Sequence, residues 1–355
     1  GMLGYAFMGK AHTFGYANCN RMLDLDVKAR LKCITGIGEE AIKEAQQRLG
    51  WEDYEVDWKD VVERDDIDLI DICTPNFVHE DQVIAAAEAG KDILCEKPLA
   101  NDLDSAKRMM KAVESSGVKA MTGFTYRQAP AVQLAKEMIE SGELGEIRHI
   151  RADYLQDFIM DPEFPMMWRL RKEQAGSGAL GDLGAHITDM ARYLVGEVEE
   201  VSGTLKTFIK ERPTGDGGTE EVTVDDAALW CAQMSNGAVA KFEATRFAGG
   251  RKNYHTWEIN GSKGSIEWSF EDMNYLKYWK AGESSRQGFR RVPATLEDTP
   301  GNEGWWPGGH LIGYGECHAN QIRSLLTALK EDRQPVPTFE DGVKCQAVLE
   351  AVAQS

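Results

Sequence analysis

No stretch of the 355-residue chain strings together the roughly twenty apolar residues that a membrane-spanning helix requires. The sequence does not open on a basic segment followed by an apolar one, so no secretory signal is read at its start. Positive charge is short: 40 Lys and Arg stand against 58 Asp and Glu, for a net charge of −18. A chain this acidic repels phosphodiester backbones and anionic lipid, which argues against nucleic acid or a membrane as partner. Cysteines at metal-binding or redox spacing are missing too. The seven present (Cys19, Cys33, Cys73, Cys95, Cys231, Cys317 and Cys345) are odd in number, scattered, and never spaced CxxC. They read as reduced thiols serving as small hydrophobes, which predicts a cytoplasmic protein with no disulfide frame and no zinc site.

What is present is an ordinary globular composition, 42% hydrophobic and 28% charged, in a chain long enough for two cores. Residues 1–123 alternate strand and helix patterns with short connections, the mark of a parallel α/β sheet. Strands are expected at Arg30–Thr35, Asp68–Cys73 and Asp92–Cys95, and helices from about Ala11, from Glu39 to Leu49 and from His79 to Ala89. Residues 124–355 read differently. Helical segments near 130–141 and 181–195 flank alternating stretches at 147–157, 199–211, 223–234, 238–247, 254–260 and 264–270. Asn236-Gly237 and Asn260-Gly261 look like hairpin turns, so this half is expected to be α+β with an antiparallel sheet. The ends are abrupt: either Gly1 is foreign to the natural chain or terminal residues are missing from the sequence.

Three groups of residues carry chemistry. The first is Gly4-x-Ala6-x-x-Gly9, with Phe7 and Met8 inside it, a glycine turn of the kind that lets backbone approach a pyrophosphate at a helix N-terminus. An ordinary βα turn is the alternative. Gly36, Thr74-Pro75-Asn76, Glu96-Lys97-Pro98 and Thr125-Tyr126-Arg127 each follow a predicted strand, and ligands of open α/β sheets gather at that edge. The second is Gly181-Asp182-Leu183-Gly184-Ala185-His186, where a spacing of four puts an acid and an imidazole on one helical face, suited to proton transfer. An N-cap aspartate and a core histidine are the alternatives, and Asp189 is either a group that orients the His186 ring or a solvated acid. Without a further ligand cluster, Asp182, His186 and Asp189 are not expected to bind metal. The third is Trp305-Trp306-Pro307-Gly308-Gly309-His310, which suits a sugar face or a packed surface loop; His318, at the start of a helical run, reads as structural.

These segments, with Asp71-Ile72-Cys73-Thr74-Pro75-Asn76-Phe77-Val78-His79 and Glu140–Ile147, resemble the glucose–fructose oxidoreductase / inositol dehydrogenase / MocA family over nearly the whole chain. The resemblance implies a Rossmann domain, an α+β domain with a large open antiparallel sheet, and NAD or NADP as cofactor. It implies Lys97, Asp182 and His186 as catalytic residues. Gly4, Ala6, Phe7, Met8, Gly9, Gly36, Thr74, Pro75, Asn76, His79, Glu96, Lys97 and Arg127 would meet the cofactor. Lys97, Tyr126, Trp168, Arg169, Asp182, His186 and His310 would meet a sugar or polyol. In this reading His186 takes the hydroxyl proton, Lys97 stabilises the alkoxide and Asp182 binds a neighbouring hydroxyl. Two departures stand out. Ala6 replaces the usual second glycine, and Thr35-Gly36-Ile37 carries neither a ribose-binding acid nor an arginine for a 2′-phosphate. The open sheet implies a homo-oligomer, a dimer or tetramer. A glycoside hydrolase working by transient oxidation and a non-catalytic cofactor sensor are the other classes.

Overall fold

A computed structural model of the chain describes residues 1–282, 285 and 287–355. It contains two compact units, Gly1–Thr125 with Gly313–Gln346, and Tyr126–Ile312 with Ala347–Ser355.

The first unit is built on six parallel strands: β1 (Met2–Leu3), β2 (Cys33–Thr35), β3 (Asp53–Tyr54), β4 (Leu69–Ile72), β5 (Asp92–Cys95) and β6 (Ala120–Thr122). Their order, β3-β2-β1-β4-β5-β6, is the doubly wound Rossmann order, in which the chain reverses direction between β1 and β4. Five helices connect them: α1 (Phe7–Met22), α2 (Glu39–Leu49), α3 (Trp58–Glu63), α4 (His79–Glu88) and α5 (Leu103–Ser116). Ile70, Ile72, Ile93, Val83 and Met109 are fully buried in one core, as the continuous apolar runs of a two-sided sheet require. Gly50 and Gly117 end α2 and α5 in the left-handed conformation. Two expectations are corrected. α1 starts at Phe7, four residues before Ala11, because Gly9 already belongs to its first turns. The strands expected at Arg30 and Asp68 are shorter, since Arg30 and Lys32 lie at the surface paired with Glu52.

In the second unit α6 (Pro130–Glu140) leads into β7 (Ile147–Leu155), and the short α7 (Lys172–Ala175) precedes α8 (Ala185–Leu194). Nine more strands follow: β8 (Val198–Lys206), β9 (Glu211–Pro213), β10 (Thr219–Glu221), β11 (Ala227–Met234), β12 (Val239–Thr245), β13 (Tyr254–Gly261), β14 (Gly264–Ser269), β15 (Tyr275–Lys280) and β16 (Arg290–Pro293). Eight of these strands form one sheet, β16-β15-β14-β13-β7-β12-β11-β8, and β9 with β10 forms a separate ribbon. The sheet is not wholly antiparallel: β7 runs parallel to β12. β12 and β13 run in opposite directions on either side of β7, so β7 must parallel one of them. The Asn236-Gly237 turn joins β11 to β12 as expected. Asn260-Gly261, however, is still strand, and Ser262 and Lys263 make the turn. Gly261 is needed for another reason, because a Cβ there would collide with the Leu144 carbonyl. Side chains along β11 and β12 alternate buried and exposed, so one sheet face is covered and the other is open.

The expected boundary, 1–123 against 124–355, also needs correction. α9 (Tyr314–Lys330) packs on α1, and Thr338, just before α10 (Phe339–Gln354), bridges to Met121 in β6. Gly15 permits the helix pairing, since a Cβ there would sit 3.0 Å from the His318 backbone. The stretch Gly313–Gln346 therefore belongs to the first unit.

Candidate active site

The candidate residues are shared between the units, and each set has its own geometry. In the first unit, Gly4 has φ +103° and its amide donates to the Thr35 carbonyl at 3.0 Å. A Cβ on Gly4 would stand 2.9 Å from the Cys73 carbonyl, and one on Gly9 would collide with the Gly4 carbonyl, so the turn is as tight as backbone permits. Ala6 is the N-cap of α1 and supplies no side-chain hydrogen bond, and no acid lies in the first turn. The amides there keep their capacity for an anion, and the helix dipole favours one. This cradle fits a dinucleotide pyrophosphate without the second glycine. Gly36 faces the Tyr5 ring, which a Cβ would overlap, while the Tyr5 hydroxyl donates to the Ile37 carbonyl at 2.5 Å.

Around the other strand ends, Thr74 donates to Gln82 at 2.6 Å and Lys97-Pro98 is a cis peptide. His79 and Glu96, expected at the cofactor, face inward instead. The His79 ring is buried with Nε2 2.9 Å from the Thr74 carbonyl and Nδ1 3.2 Å from the Leu99 carbonyl, and since burial lowers its pKa the neutral ring donates to one of the two. It staples one loop to the next. Glu96 is buried against His12 at 3.0 Å. Asn76 is buried as well, while Phe7 is widely exposed.

One cluster has metal-like composition. His12, Asp71 and Cys73 offer ligand atoms within 4.8 Å of one another. Their spacing is that of direct hydrogen bonds, 2.9 Å from His12 Nδ1 to Asp71 and 3.3 Å from Cys73 Sγ to Asp71. Burial pushes the Cys73 thiol pKa up, and as a thiol it donates to the Asp71 carboxylate.

In the second unit Asp182 does not sit on an α-helical face. Leu180–Gly184 form a π-type turn that runs into α8 at Ala185. Asp225 builds this turn: its carboxylate accepts the amides of Gly178 (2.7 Å) and Leu180 (2.8 Å). The spacing-of-four argument thus does not hold as stated, because a π-type turn is wider than an α-helical one. Asp182 accepts from Arg246 at 3.0 Å, and Arg246 also reaches the Gly178 carbonyl at 3.1 Å. Arg169 stacks on Trp168, 4.3 Å from the ring centroid; burial lowers its pKa, against the opposing pull of Asp182.

His186 is 8% exposed and boxed by rings, with Tyr126 edge-on at 4.7 Å, Tyr154 at 5.6 Å and His255 at 6.2 Å. Tyr126 is buried, its hydroxyl 2.8 Å from that of Tyr154, which donates to Asn253 at 2.6 Å. Arg127, expected at the cofactor, is instead buried in a two-pronged pair with Asp189 at 2.9 and 2.5 Å. This pairing also removes Asp189 as a solvated acid. A fork-shaped guanidinium on a carboxylate is one of the few arrangements that lets both be buried. His310 is exposed and its Nδ1 donates to the Pro307 carbonyl at 2.7 Å. Arg246, Tyr154, His255 and Asp225 leave no local signal in the sequence, since each meets partners distant along the chain.

Two family models match: one described as "Oxidoreductase family, NAD-binding Rossmann fold" over residues 1–124, and "GFO/IDH/MocA C-terminal domain" over residues 132–267. Levoglucosan dehydrogenase of Pseudarthrobacter phenanthrenivorans is 41% identical, with 100% of this chain and 95% of that protein covered. Inositol 2-dehydrogenase of Rhizobium meliloti is 27% identical over 100% of this chain and 96% of its own length. Among solved structures, levoglucosan dehydrogenase with NADH and levoglucosan superimposes with a TM-score of 0.97 at 41% identity, covering 100% of this chain and 95% of that one. An oxidoreductase domain protein from Kribbella flavida gives a TM-score of 0.96 at 48% identity, covering 99% and 95%. A glycoside hydrolase finds no support among these relatives.

Proposed function

The chain belongs to the glucose–fructose oxidoreductase / inositol dehydrogenase / MocA family of NAD-binding oxidoreductases, and we propose that it oxidises a ring CH–OH of a sugar or polyol, with Lys97, Asp182 and His186 as its catalytic residues. The reading is carried by the presence of all three in a chain that matches a levoglucosan dehydrogenase from end to end. Binding a dinucleotide alone needs none of them. A bound nicotinamide supplies the hydride acceptor. His186 takes the hydroxyl proton, and the Lys97 ammonium stabilises the alkoxide that develops at the same oxygen. Asp182, held by Arg246, accepts a hydrogen bond from a neighbouring hydroxyl and so selects vicinal diols. Arg169 on Trp168 adds a donor, and the exposed His310 ring a further polar group, for other hydroxyls.

Replacing Lys97 by Met keeps the stem and deletes the ammonium. The expected loss of turnover is about a hundred- to a thousandfold, roughly 3–4 kcal/mol, with cofactor affinity little changed. Steady-state assays on levoglucosan and inositols, with cofactor titration by fluorescence, check this. Retention of most of the turnover assigns the lysine a structural role. NAD is the preferred cofactor in this reading, because no arginine follows β2 to take a 2′-phosphate.

No helix among the described residues is long and apolar enough to cross a membrane. The open face of the large sheet, with Leu229 and Val239 exposed beside Arg151, Glu200 and Lys241, is the surface on which we expect a second copy to dock as a cytoplasmic dimer or tetramer. Light scattering at micromolar concentration tests it, and a monomer mass rules it out.

A further inference from the structure

His12, in α1, is completely buried, and its ring nitrogens face carboxylates from two different strands. Nδ1 lies 2.9 and 3.0 Å from the two oxygens of Asp71 in β4. Nε2 lies 3.0 Å from Oε1 of Glu96, the residue after β5. A neutral imidazole has one N–H and one lone pair, so it can donate to only one of them, and its lone pair would repel the other. Two carboxylate partners call for the imidazolium.

The surroundings agree. Burial by itself disfavours the cation, but the Asp71 carboxylate, by its charge and its hydrogen bond, outweighs it, and the pKa of His12 stands well above its ordinary value. The other groups facing the ring bring no competing charge. Burial keeps the thiol of Cys73 protonated, and burial together with Asp71 does the same for the phenol of Tyr16. His318 of α9, 5.1 Å away ring to ring, is held neutral by burial and by the charge on His12 itself.

Glu96 passes the restraint onward. Its second oxygen accepts the backbone amide of Lys97 at 3.3 Å, and its own amide donates to the Ile72 carbonyl at 3.0 Å. Gly123 leaves the carboxylate its room, since a Cβ there would lie 2.5 Å from Oε1. We propose that His12 is a positioning residue for Lys97: an imidazolium strut between Asp71 and Glu96 that fixes the Glu96 carboxylate and, through it, the backbone that presents the lysine ammonium. The proposal rests on the catalytic reading of Lys97. A displacement of about 1 Å at such a group is enough to cost on the order of a hundredfold in rate.

Two measurements test it. In protein labelled with nitrogen-15 histidine, the His12 ring, assigned by its loss in His12→Phe, is expected to show imidazolium shifts and protons on both nitrogens at pH 7, above the ordinary imidazole range. A ring with a single proton at pH 7 overturns the proposal. The second is a double-mutant cycle in the full-length enzyme. His12→Phe is expected to lower kcat by about ten- to a hundredfold while cofactor affinity stays within about threefold. In the Lys97→Met background the same change is expected to add nothing. An equal loss in both backgrounds shows that His12 serves only the fold, and overturns the proposal alone. Full turnover in Lys97→Met by itself removes the premise and the proposal together, so the two failures are told apart. If His12→Phe lacks a cooperative thermal transition, Glu96→Gln, which keeps shape and removes the charge, takes its place in the cycle with the same expectations.

Discussion

His12 in the first unit and His255 in the second are both inaccessible to solvent, yet the pKa of the first is raised and that of the second lowered. His12 lies between two carboxylates. His255, on β13, has no hydrogen-bond partner at either nitrogen among the described residues, stacks on Tyr154 at 4.9 Å, and meets the edges of Tyr126 at 4.8 Å and Trp268 at 5.5 Å. Burial alone acts on it and lowers its pKa to about 3. Burial therefore does not decide the charge of an imidazole; its partners do. The contrast suits the proposed chemistry of each unit. A fixed positive charge stiffens the loop of Lys97, whereas a neutral, ring-lined pocket keeps a second titrating imidazole away from His186, which has to gain and lose a proton.

The comparison breaks most readily at Asp71. Asp71→Ala leaves the His12 cation with a single carboxylate in a buried site, and breaking such a pair typically costs about 3–5 kcal/mol. Urea unfolding at pH 7 measures it, and a cost below about 1 kcal/mol would mean that His12 is neutral in the native protein. The sign with pH follows. A histidine whose pKa is raised by folding stabilises fully below its unfolded value of about 6.5, and that stability is lost as pH rises through the native value. The deficit of Asp71→Ala is therefore expected to narrow in alkali.

His255 is predicted to behave in the opposite sense. Its pKa falls on folding, so below about pH 6.5 the unfolded chain binds a proton that the native protein refuses, at about 1.4 kcal/mol per pH unit. That penalty is absent at pH 7.5 and grows down to about pH 3. His255→Phe keeps a ring in the aromatic box and removes the proton site. At pH 5 it is expected to be more stable than the parent by about 2 kcal/mol relative to any difference at pH 7.5. Equal effects at the two pH values would show that His255 has a proton partner.

The two regions also differ in how far they could be read in advance. The glycine turn and the order of the Rossmann strands are local features, set by a few neighbouring residues and one strand edge, and they are present as the sequence pattern implies. The charged knot behind them joins His12 to residues 59 and 84 positions away, and no spacing rule reaches that far. The same holds for Arg246, 64 positions from Asp182, and for Asp189, which a helical repeat marks as polar but cannot pair with Arg127. α9 shows an apolar stripe in its sequence, but a stripe does not say which core it covers, and Gly15 opposite His318 decides it. At Asn260-Gly261 a glycine that ordinarily signals a turn instead makes room for the Leu144 carbonyl, which is remote in sequence.

The finest distinction concerns polar groups that carry no charge. Tyr154 donates to Asn253 at 2.6 Å and therefore accepts from Tyr126 at 2.8 Å, and Gln156 reaches the same Asn253 oxygen at 2.9 Å. Tyr154→Phe preserves the stack on His255 but deprives the buried Tyr126 hydroxyl of that partner, which is expected to cost about 1 kcal/mol. A phenol titrates near pH 10, far from the range in which imidazoles change charge. The cost should therefore be the same at pH 5 and pH 7.5, measured by urea unfolding, unlike the pH-dependent effects of Asp71→Ala and His255→Phe. A deficit that grows by more than about 1 kcal/mol in acid would mean that the hydroxyl chain responds to protonation of His186 or His255. The ring-lined pocket would then conduct protons, and its neutrality would no longer separate it from the charged knot around His12.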